Sequence, residues 1–438
     1  MKKQYSSIQI SLDRIRQSLF RLTTGGDWAY SLPVEIQRNL HRFWYDGLFA
    51  SASDNIIVTY LTLYVLALGA TRAQIGLMSS LSSLSAALLL LPGAMLVERF
   101  RRRKELTVLF GGLVARFAIL LLALIPFFLG EKGLIIAAIA LSVGKDAFAN
   151  LAFPGWISIT ADIVPMAGRG RYFGSRNFVM GIAGMLTVLA VGELITRVGQ
   201  PSGYQLAIAL AFLLGMISTY NFAQLKEPPQ NAPTTPVSMS PRVLWRDIRS
   251  HPAFLALAST SALWNFSLNI AGPFFGIYMV QNLKATATLV GMMSVVTSVS
   301  SLVFQRRLGK LADRWGAHRM MLISGLLIPI LPLSWTFVTS IWHVIPINIL
   351  SGLFWGAYNL ASFNLLLELT PAEQRARYSA IYQIIVTAAL AAGAAFGSWL
   401  ITRWGYVAIF IGSGIGRLAA ALLFARFVHR PESPRDEE

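Results

Sequence analysis

The sequence contains no cysteine, and charged side chains are scarce in it. Without cysteine the chain can form no disulfide or thiolate-bound metal site, and it has no thiolate nucleophile. Charged residues make up 13% of its 438 positions, about half of the roughly 25% found in soluble domains. The five histidines, at 41, 251, 318, 343 and 429, lie near the ends of apolar runs. The chain also has no Gly-x-x-x-x-Gly-Lys-Ser/Thr loop for ATP. We therefore expect no enzyme, no cofactor and no metal.

Apolar residues, by contrast, are abundant: 55% of the chain is hydrophobic, and its mean hydropathy is +0.57. They form long runs such as 106–129, 179–195 and 407–424, close to the ~20 residues that a helix needs to cross a bilayer. Because hydrocarbon offers no hydrogen bonds to the backbone, such runs must be helical. We predict an all-α integral membrane protein with twelve transmembrane helices, at 43–68, 72–95, 105–129, 134–158, 173–196, 204–224, 252–280, 287–308, 320–339, 343–368, 377–401 and 406–428.

The net charge of +17 is distributed unevenly over these spans. With a cytoplasmic N-terminus, 29 of the 37 lysines and arginines fall in inner segments and five in outer loops. This asymmetry follows the positive-inside rule and places both termini in the cytoplasm. The basic residues therefore indicate how the chain is oriented in the lipid bilayer of the cell membrane. They do not indicate a nucleic-acid partner.

A polar segment with five prolines divides the chain near its middle, which predicts a linker between two bundles of six helices. We predict a cytoplasmic N-terminal segment at 1–42 and a first six-helix bundle at 43–225. The linker at 226–250, a second six-helix bundle at 251–429 and a cytoplasmic tail at 430–438 follow. In the first unit, five apolar side chains share one helical face: Ile8, Leu12, Ile15, Leu19 and Leu22. That face is typical of an amphipathic helix at the membrane surface, although a partly ordered tail would also fit.

The two predicted bundles repeat each other. Nine of the thirty residues from 70 to 99 recur 215 positions later. At an offset of 206, Arg-Gly-Arg-Tyr at 169–172 returns as Arg-Ala-Arg-Tyr at 375–378. Two units in the same orientation predict a pseudo-two-fold axis along the membrane normal, with a binding site between the halves.

The loop after the eighth span contains a recognisable sequence signature. It reads Gly-Lys-Leu-Ala-Asp-Arg-Trp-Gly-Ala-His-Arg over 309–319, and it resembles the loop signature of the major facilitator superfamily. Its counterpart after the second span contains Gly93, Glu98 and Arg99. The resemblance covers twelve spans, the linker and both loops, and it implies secondary transport by alternating access.

A carboxylate at a helix end can pair with arginine and with a neighbouring helix N-terminus, and it can release them in another conformation. We therefore predict a conformational latch made by Gly93, Glu98, Arg99, Gly309, Asp313, Arg314, Gly316 and Arg319. Ordinary positive-inside loops are the alternative. The fifth span lacks the Gly-x-x-x-Gly-Pro pattern of many drug–proton antiporters, which disfavours that subgroup.

Ionisable residues inside a membrane cost free energy and each requires an explanation. The candidates for proton coupling are Asp46, Asp54, Lys145 and Asp146. In the family that the chain resembles, the first and fourth spans line the central cavity, so Lys145 or Asp146 could pair with Asp54 there. A proton-binding acid whose affinity changes as the cavity opens is one interpretation, and a structural lock between helices is the other.

Aromatic and amide side chains within the spans predict recognition of a neutral or amphipathic solute. The candidates for the substrate cavity are Asn55, Asn150, Trp264, Asn265, Asn269, Trp355, Tyr358, Asn359, Asn364 and Gln383. Polar contacts between helices are the alternative for each of them. Arg116 and Arg417 also lie within spans. Because the resemblance places their helices at the periphery, we expect structural pairing for both.

These patterns predict a secondary active transporter that moves a small organic solute across the membrane, works as a monomer and uses protons as the coupling ion. Three other functions remain open from the sequence. They are a membrane solute sensor that does not transport, a facilitator, and an exporter of lipids or drugs.

Overall fold

The computed structural model of the chain describes residues 17–227, 251–370 and 375–428. Within these ranges the chain consists of helices joined by short turns, with no strand. Most of the segment predicted to be an amphipathic surface helix lies outside the described residues, apart from a helix over 17–24.

Six long helices form the first half: α1 Val34–Ala67, α2 Arg72–Phe100, α3 Arg103–Phe127, α4 Glu131–Ile163, α5 Arg169–Val198 and α6 Ser202–Ala223. Helix α1 begins at Val34, directly after Pro33 in an extended conformation, and not at 43 as hydropathy predicted. The additional turns are polar, and they carry Glu35 in the first turn, where a carboxylate stabilises the helix N-terminus. A hydropathy window does not detect such turns.

The second half contains α7 Pro252–Ala271, α8 Phe275–Gln281, α9 Ala287–Leu327, α10 Ile330–Ser334, α11 Val344–Glu368 and α12 Arg375–Phe427. Two of these helices are broken by a glycine. Gly316 interrupts α9 at φ 75° and Gly405 interrupts α12 at φ 75°. Positive φ is a conformation that glycine adopts without a steric penalty, so each of these helices changes direction at its glycine.

Ten helical segments of the described chain are long and apolar enough to cross a membrane. The longest of them, Tyr378–Phe427, contains the break at Gly405 and is nevertheless a single candidate. The helices α7 and α8 are not among the ten, because polar residues such as Asn265 and Asn269 lower the hydropathy of α7 and because α8 has only seven residues. The structure is thus that of an all-helical membrane protein with at least ten candidate spans.

The halves meet along two pairs of helices: α2 packs against α12, and α5 packs against α9. Their hydrogen bonds lie toward the helix ends predicted to face outward. Ser398 donates to the carbonyl of Ala73 at 2.9 Å, and Ser80 donates to the carbonyl of Ala391 at 2.8 Å. Between α5 and α9, also near the predicted outer ends, the Thr196 and Thr288 hydroxyls are 2.8 Å apart.

At the opposite ends, which carry the two signature loops, no hydrogen bond joins described residues of the two halves. Side chains of α2 and α4 near these ends are exposed, among them Met95 at 61% and Ile157 at 48%. The hydrogen bonds that join described residues of the two halves therefore lie toward the predicted outer ends.

Candidate functional site

The first half encloses a cavity of about 470 Å³ among α1, α3, α4, α5 and α6. Two acid–arginine pairs contribute to its wall: Asp54 with Arg116, and Asp46 with Arg176. Aromatic side chains, Phe153 among them, and small polar groups complete the lining. This combination of charge and apolar surface is typical of a small-molecule site.

The Asp54 pair is partly open to solvent. Its carboxylate accepts a hydrogen bond from Nη1 of Arg116 at 2.8 Å, and the same nitrogen donates to the Ser53 hydroxyl at 2.9 Å. The Asp54 side chain is 58% exposed, whereas Arg116 is 14% exposed. A solvated carboxylate thus neutralises a cation that is largely desolvated.

The Asp46 pair is buried on both sides, at 7% exposure for Asp46 and 5% for Arg176. The two charges are 3.5 Å apart, and the Ser218 hydroxyl donates to the Asp46 carboxylate at 2.7 Å. The Arg176 guanidinium donates to the carbonyl of Phe43 at 3.1 Å and lies 4.1 Å from the centre of its ring. Since burying two charges is costly, these additional contacts offset part of the lost hydration.

Local sequence explains how Arg176 fits beside α1. Gly47 faces the guanidinium, and a Cβ at that position would lie 2.5 Å from its central carbon. Only a residue without a side chain lets the two helices approach so closely around an arginine. Arg176 does not stand out in the sequence, because this residue lies close to the predicted inner end of the fifth span. The helix begins at Arg169, so Arg176 lies about two turns inside it, and a cation at that depth is the signal that would have found it.

The predicted pairing of Asp54 with α4 is wrong. Lys145 pairs with its neighbour Asp146 on the same helix, and Asp54 pairs with Arg116. Neither Lys145 nor Asp146 is part of the wall of the first-half cavity. Asn150 donates to the carbonyl of Asp146 at 2.7 Å, so its amide satisfies the backbone of its own helix. Arg116 forms an ion pair, as expected, but its side chain also lines the first-half cavity, and its partner is one of the coupling candidates.

A second cavity, of about 350 Å³, lies between the two halves. It contains three of the predicted substrate residues: Asn55 of α1, and Trp355 and Asn359 of α11. Hydroxyl groups of α9 contribute polar atoms to its wall, Ser294 among them. A site at this interface can be opened to either side when the halves move against each other.

Other predicted residues form a buried aromatic cluster. Trp264 stacks on Tyr358 with ring centres 4.7 Å apart, and the ring of Trp355 lies 5.6 Å from that of Tyr358. Trp264 and Tyr358 are 3% and 7% exposed. They therefore support the wall formed by Trp355 and do not line the interface cavity.

Besides Asn150, three of the predicted amides satisfy backbone carbonyls. Asn55 and Asn265 each donate to the carbonyl four residues earlier, that of Ser51 and that of Ser261, at 2.8 Å. Asn269 reaches across to the carbonyl of Leu390 at 2.8 Å and joins α7 to α12. Of the others, Asn364 is half-buried and Gln383 is exposed. For Asn269 the alternative of a polar contact between helices describes the geometry.

The latch residues lie at the open ends of α2 and α9. Gly93 packs directly against the backbone of Leu151, and Gly316 forms the break in α9. Gly309 has open space around it. Four charged members are exposed: Glu98, Arg99, Arg314 and Arg319. The side chain of Asp313 lies outside the described residues, so the latch remains a prediction.

Comparisons with known proteins agree with this architecture. The profile of the Major Facilitator Superfamily matches residues 47–274 and 262–438. The chain is 24% identical to the "Multi-drug resistance efflux pump PmrA" of Streptococcus pneumoniae, over 86% of this chain and 92% of that protein. It is 22% identical to the "Multidrug resistance protein MdtG" of Dickeya zeae, over 86% of this chain and 91% of that protein. Its fold is similar to the crystal structure of the nucleoside transporter NupG, with a TM-score of 0.72 at 12% identity, over 90% of this chain and all of the other.

Proposed function

This chain is a membrane transporter that belongs to the Major Facilitator Superfamily, and we propose that it exports a small amphipathic organic compound in exchange for protons. Support for export comes from the relatives, two of which are named as efflux pumps or multidrug resistance proteins. The observation that carries the proposal is the first-half cavity, where a solvated Asp54 neutralises the largely buried Arg116.

We also propose twelve crossings in two related halves. Helix α12 counts as two spans, one on each side of Gly405, which adds one crossing to the ten candidates. The helices Pro252–Ala271 and Phe275–Gln281 together count as one further span. Six spans then precede the linker and six follow it. An even number of crossings keeps both termini on one side, which the positive-inside rule makes the cytoplasm.

With that orientation, we propose that the structure represents the inward-facing state. The contacts between halves, such as Thr196 with Thr288 and Ser398 with Ala73, close the outer ends. The interface cavity with Asn55, Trp355 and Asn359 then collects solute from the cytoplasm or the inner leaflet. This is the state in which an exporter loads its substrate.

The proposed coupling residue is Asp54. A proton that binds to its carboxylate removes the counter-charge of Arg116, which is costly for a cation that is 14% exposed. The protonated state therefore favours a rearrangement around Arg116, and deprotonation restores the pair. Such a two-state element can bias the whole transporter. Asp46 occupies the same cavity behind Ser218 and is the second candidate.

The test is compound-dependent proton movement in liposomes that contain the purified protein and a trapped pH-sensitive dye. An exchanged substrate should collapse an imposed pH gradient in these liposomes, and it should do nothing in protein-free liposomes. A solute sensor would bind compounds, visible as a raised melting temperature, without any proton movement. That result, for every compound that binds, would contradict the proposal.

A further inference from the structure

Arg417 of α12 is a buried cation with no carboxylate partner among the described residues. It is 2% exposed, its Nη2 reaches only the carbonyl of Leu268 at 3.4 Å, and its Nε has no hydrogen-bond partner among the described residues. Between 251 and 428 the chain has three acids, at 313, 368 and 373, all at predicted span ends and none with a described side chain. The structural ion pair expected for Arg417 is therefore absent from the described chain.

The arginines of the first-half cavity, in contrast, each have a carboxylate partner. Arg116 is paired with Asp54 at 2.8 Å, and Arg176 is paired with Asp46 at 3.5 Å. An isolated buried charge costs far more free energy than a paired one, and an unsatisfied N–H adds to that cost. Arg417 thus has the properties of a cation whose partner is supplied from outside the chain.

The space for such a partner is present. Arg417 contributes to the wall of a cavity of about 370 Å³ in the second half, together with Asn348 and Ser351 of α11. Trp335 and Trp355 supply aromatic surface in the same cavity. A guanidinium beside amide, hydroxyl and indole groups suits a molecule with one acidic group and an apolar body.

This cavity also adjoins the one between the halves. Ser294, Thr297 and Trp355 line both. The two cavities are therefore neighbours that share part of their walls, so a solute bound between the halves lies close to the Arg417 cavity.

We propose that the Arg417 cavity binds the anionic group of an amphipathic organic solute, a carboxylate or a group of similar chemistry, while the apolar body packs against Trp335 and Trp355. This assignment rests on the proposed transport function and specifies its substrate class. The head group of an anionic phospholipid offers the same chemistry, so the experiment must separate a free solute from a lipid.

The experiment measures thermal stabilisation of the purified full-length protein in a neutral detergent. The probes are 1-naphthaleneacetate and its neutral amide, which differ in charge and share the aromatic body. A guanidinium–carboxylate contact should make the acid bind at least about tenfold more tightly than the amide. In Arg417→Gln this preference should disappear. Arg403→Gln is the matched control, because it removes the same charge at an exposed position and should retain the preference.

Two further measurements decide the remaining outcomes. Ser351→Phe fills the cavity and leaves Arg417 in place, so it should abolish the preference even if Arg417→Gln does not fold.

Nanodiscs with phosphatidylglycerol, compared with nanodiscs of phosphatidylcholine alone, test whether the ligand is a lipid. The assignment to a solute would be overturned if phosphatidylglycerol stabilised the protein in a way that depends on Arg417 and if the acid could not displace it. Retention of the preference in both variants, or none in the wild-type protein, would overturn the site itself. Compound-driven proton flux without any preference for the acid would leave the proposed function standing and remove only this site.

Discussion

At the scale of single residues, the Asp54–Arg116 pair is the point where charge, solvent and the cavity meet. Asparagine at 54 has the shape of a protonated aspartate but cannot lose a proton. We expect Asp54→Asn to abolish uphill transport driven by a pH gradient, and to retain exchange between equal pools of substrate on the two sides. Both rates can be measured in the same liposomes.

The control for this variant is Asp27→Asn. Asp27 also forms an ion pair, with Arg21 at 2.7 Å, but both side chains are about 60% exposed and lie outside the cavity. An exposed pair contributes little to stability, so this variant should couple normally. Full gradient-driven transport by Asp54→Asn would remove Asp54 from the coupling mechanism.

Gly47 offers a second prediction at this scale. A methyl group there would meet the Arg176 guanidinium at 2.5 Å, so Gly47→Ala should destabilise the protein by about 1–3 kcal/mol, as overpacking does. Gly133→Ala in α4, where nothing lies within 4 Å of the added carbon, should be neutral or slightly stabilising. Melting temperatures in one detergent would compare the two variants. Equal melting temperatures would contradict the close packing of Arg176 on α1.

The sequence was informative about which residues are exceptional and less so about their partners. Asp46 and Asp54 stand out because acids are rare within apolar spans, and both line the first-half cavity. The partner of Asp54 was predicted on α4, whereas it is Arg116 on α3. Pairing depends on how helices pack and rotate against each other, and spacing along one helix carries no information about that.

At the scale of elements, the contact between α5 and α9 is the most accessible to experiment. The hydroxyls of Thr196 and Thr288 are 2.8 Å apart across the two halves, and Thr288 also donates to Glu193 at 3.1 Å. Because the chain has no cysteine, a pair of cysteines can be introduced at these positions without interference from native thiols.

We expect the double variant Thr196→Cys/Thr288→Cys to form a disulfide under mild oxidation and to lose transport, since its outer ends can no longer separate. A reductant should restore transport. Each single variant should be insensitive to oxidant. A cross-linked protein that transports at the wild-type rate would show that these ends need not open.

Helix boundaries were predicted well where hydropathy changes sharply and poorly where polar residues continue a helix. The second span was predicted to begin at 72, and α2 begins at Arg72, after a Thr71 that caps the helix through Gln74. The first span was predicted to begin at 43, but α1 begins at Val34. The polar turns of α1 lie before the apolar run, so apolar length alone could not place this end.

At the scale of the whole molecule, the distribution of charge predicts the orientation in the membrane. The uneven distribution of 37 basic residues predicts that both termini face the cytoplasm. A reporter that is active only in the cytoplasm should therefore function when fused to the C-terminus. A reporter that functions only outside the cytoplasm should be silent there, and activity of that second fusion would reverse the predicted topology.

The family and the all-helical fold were predictable from composition, the internal repeat and the loop signature, and the profile match confirms the family. The conformational state was not predictable. A transporter that works by alternating access must be stable with either end open, so no pattern in the sequence can say which ends the structure has joined. That information comes from contacts such as Ser398 with Ala73 and Ser80 with Ala391.

Proton-coupled exchange by the whole transporter is tested most directly by the substrate gradient that it sustains when net flux stops. In liposomes with the membrane potential clamped at zero, each pH unit supplies about 1.4 kcal/mol per proton. At zero membrane potential, a carrier that exchanges one proton for one substrate molecule should therefore hold about a tenfold substrate gradient per pH unit, and Asp54→Asn should hold none. A wild-type gradient that stays at unity for every imposed pH difference, despite measurable substrate flux, would make the protein a facilitator and contradict coupling.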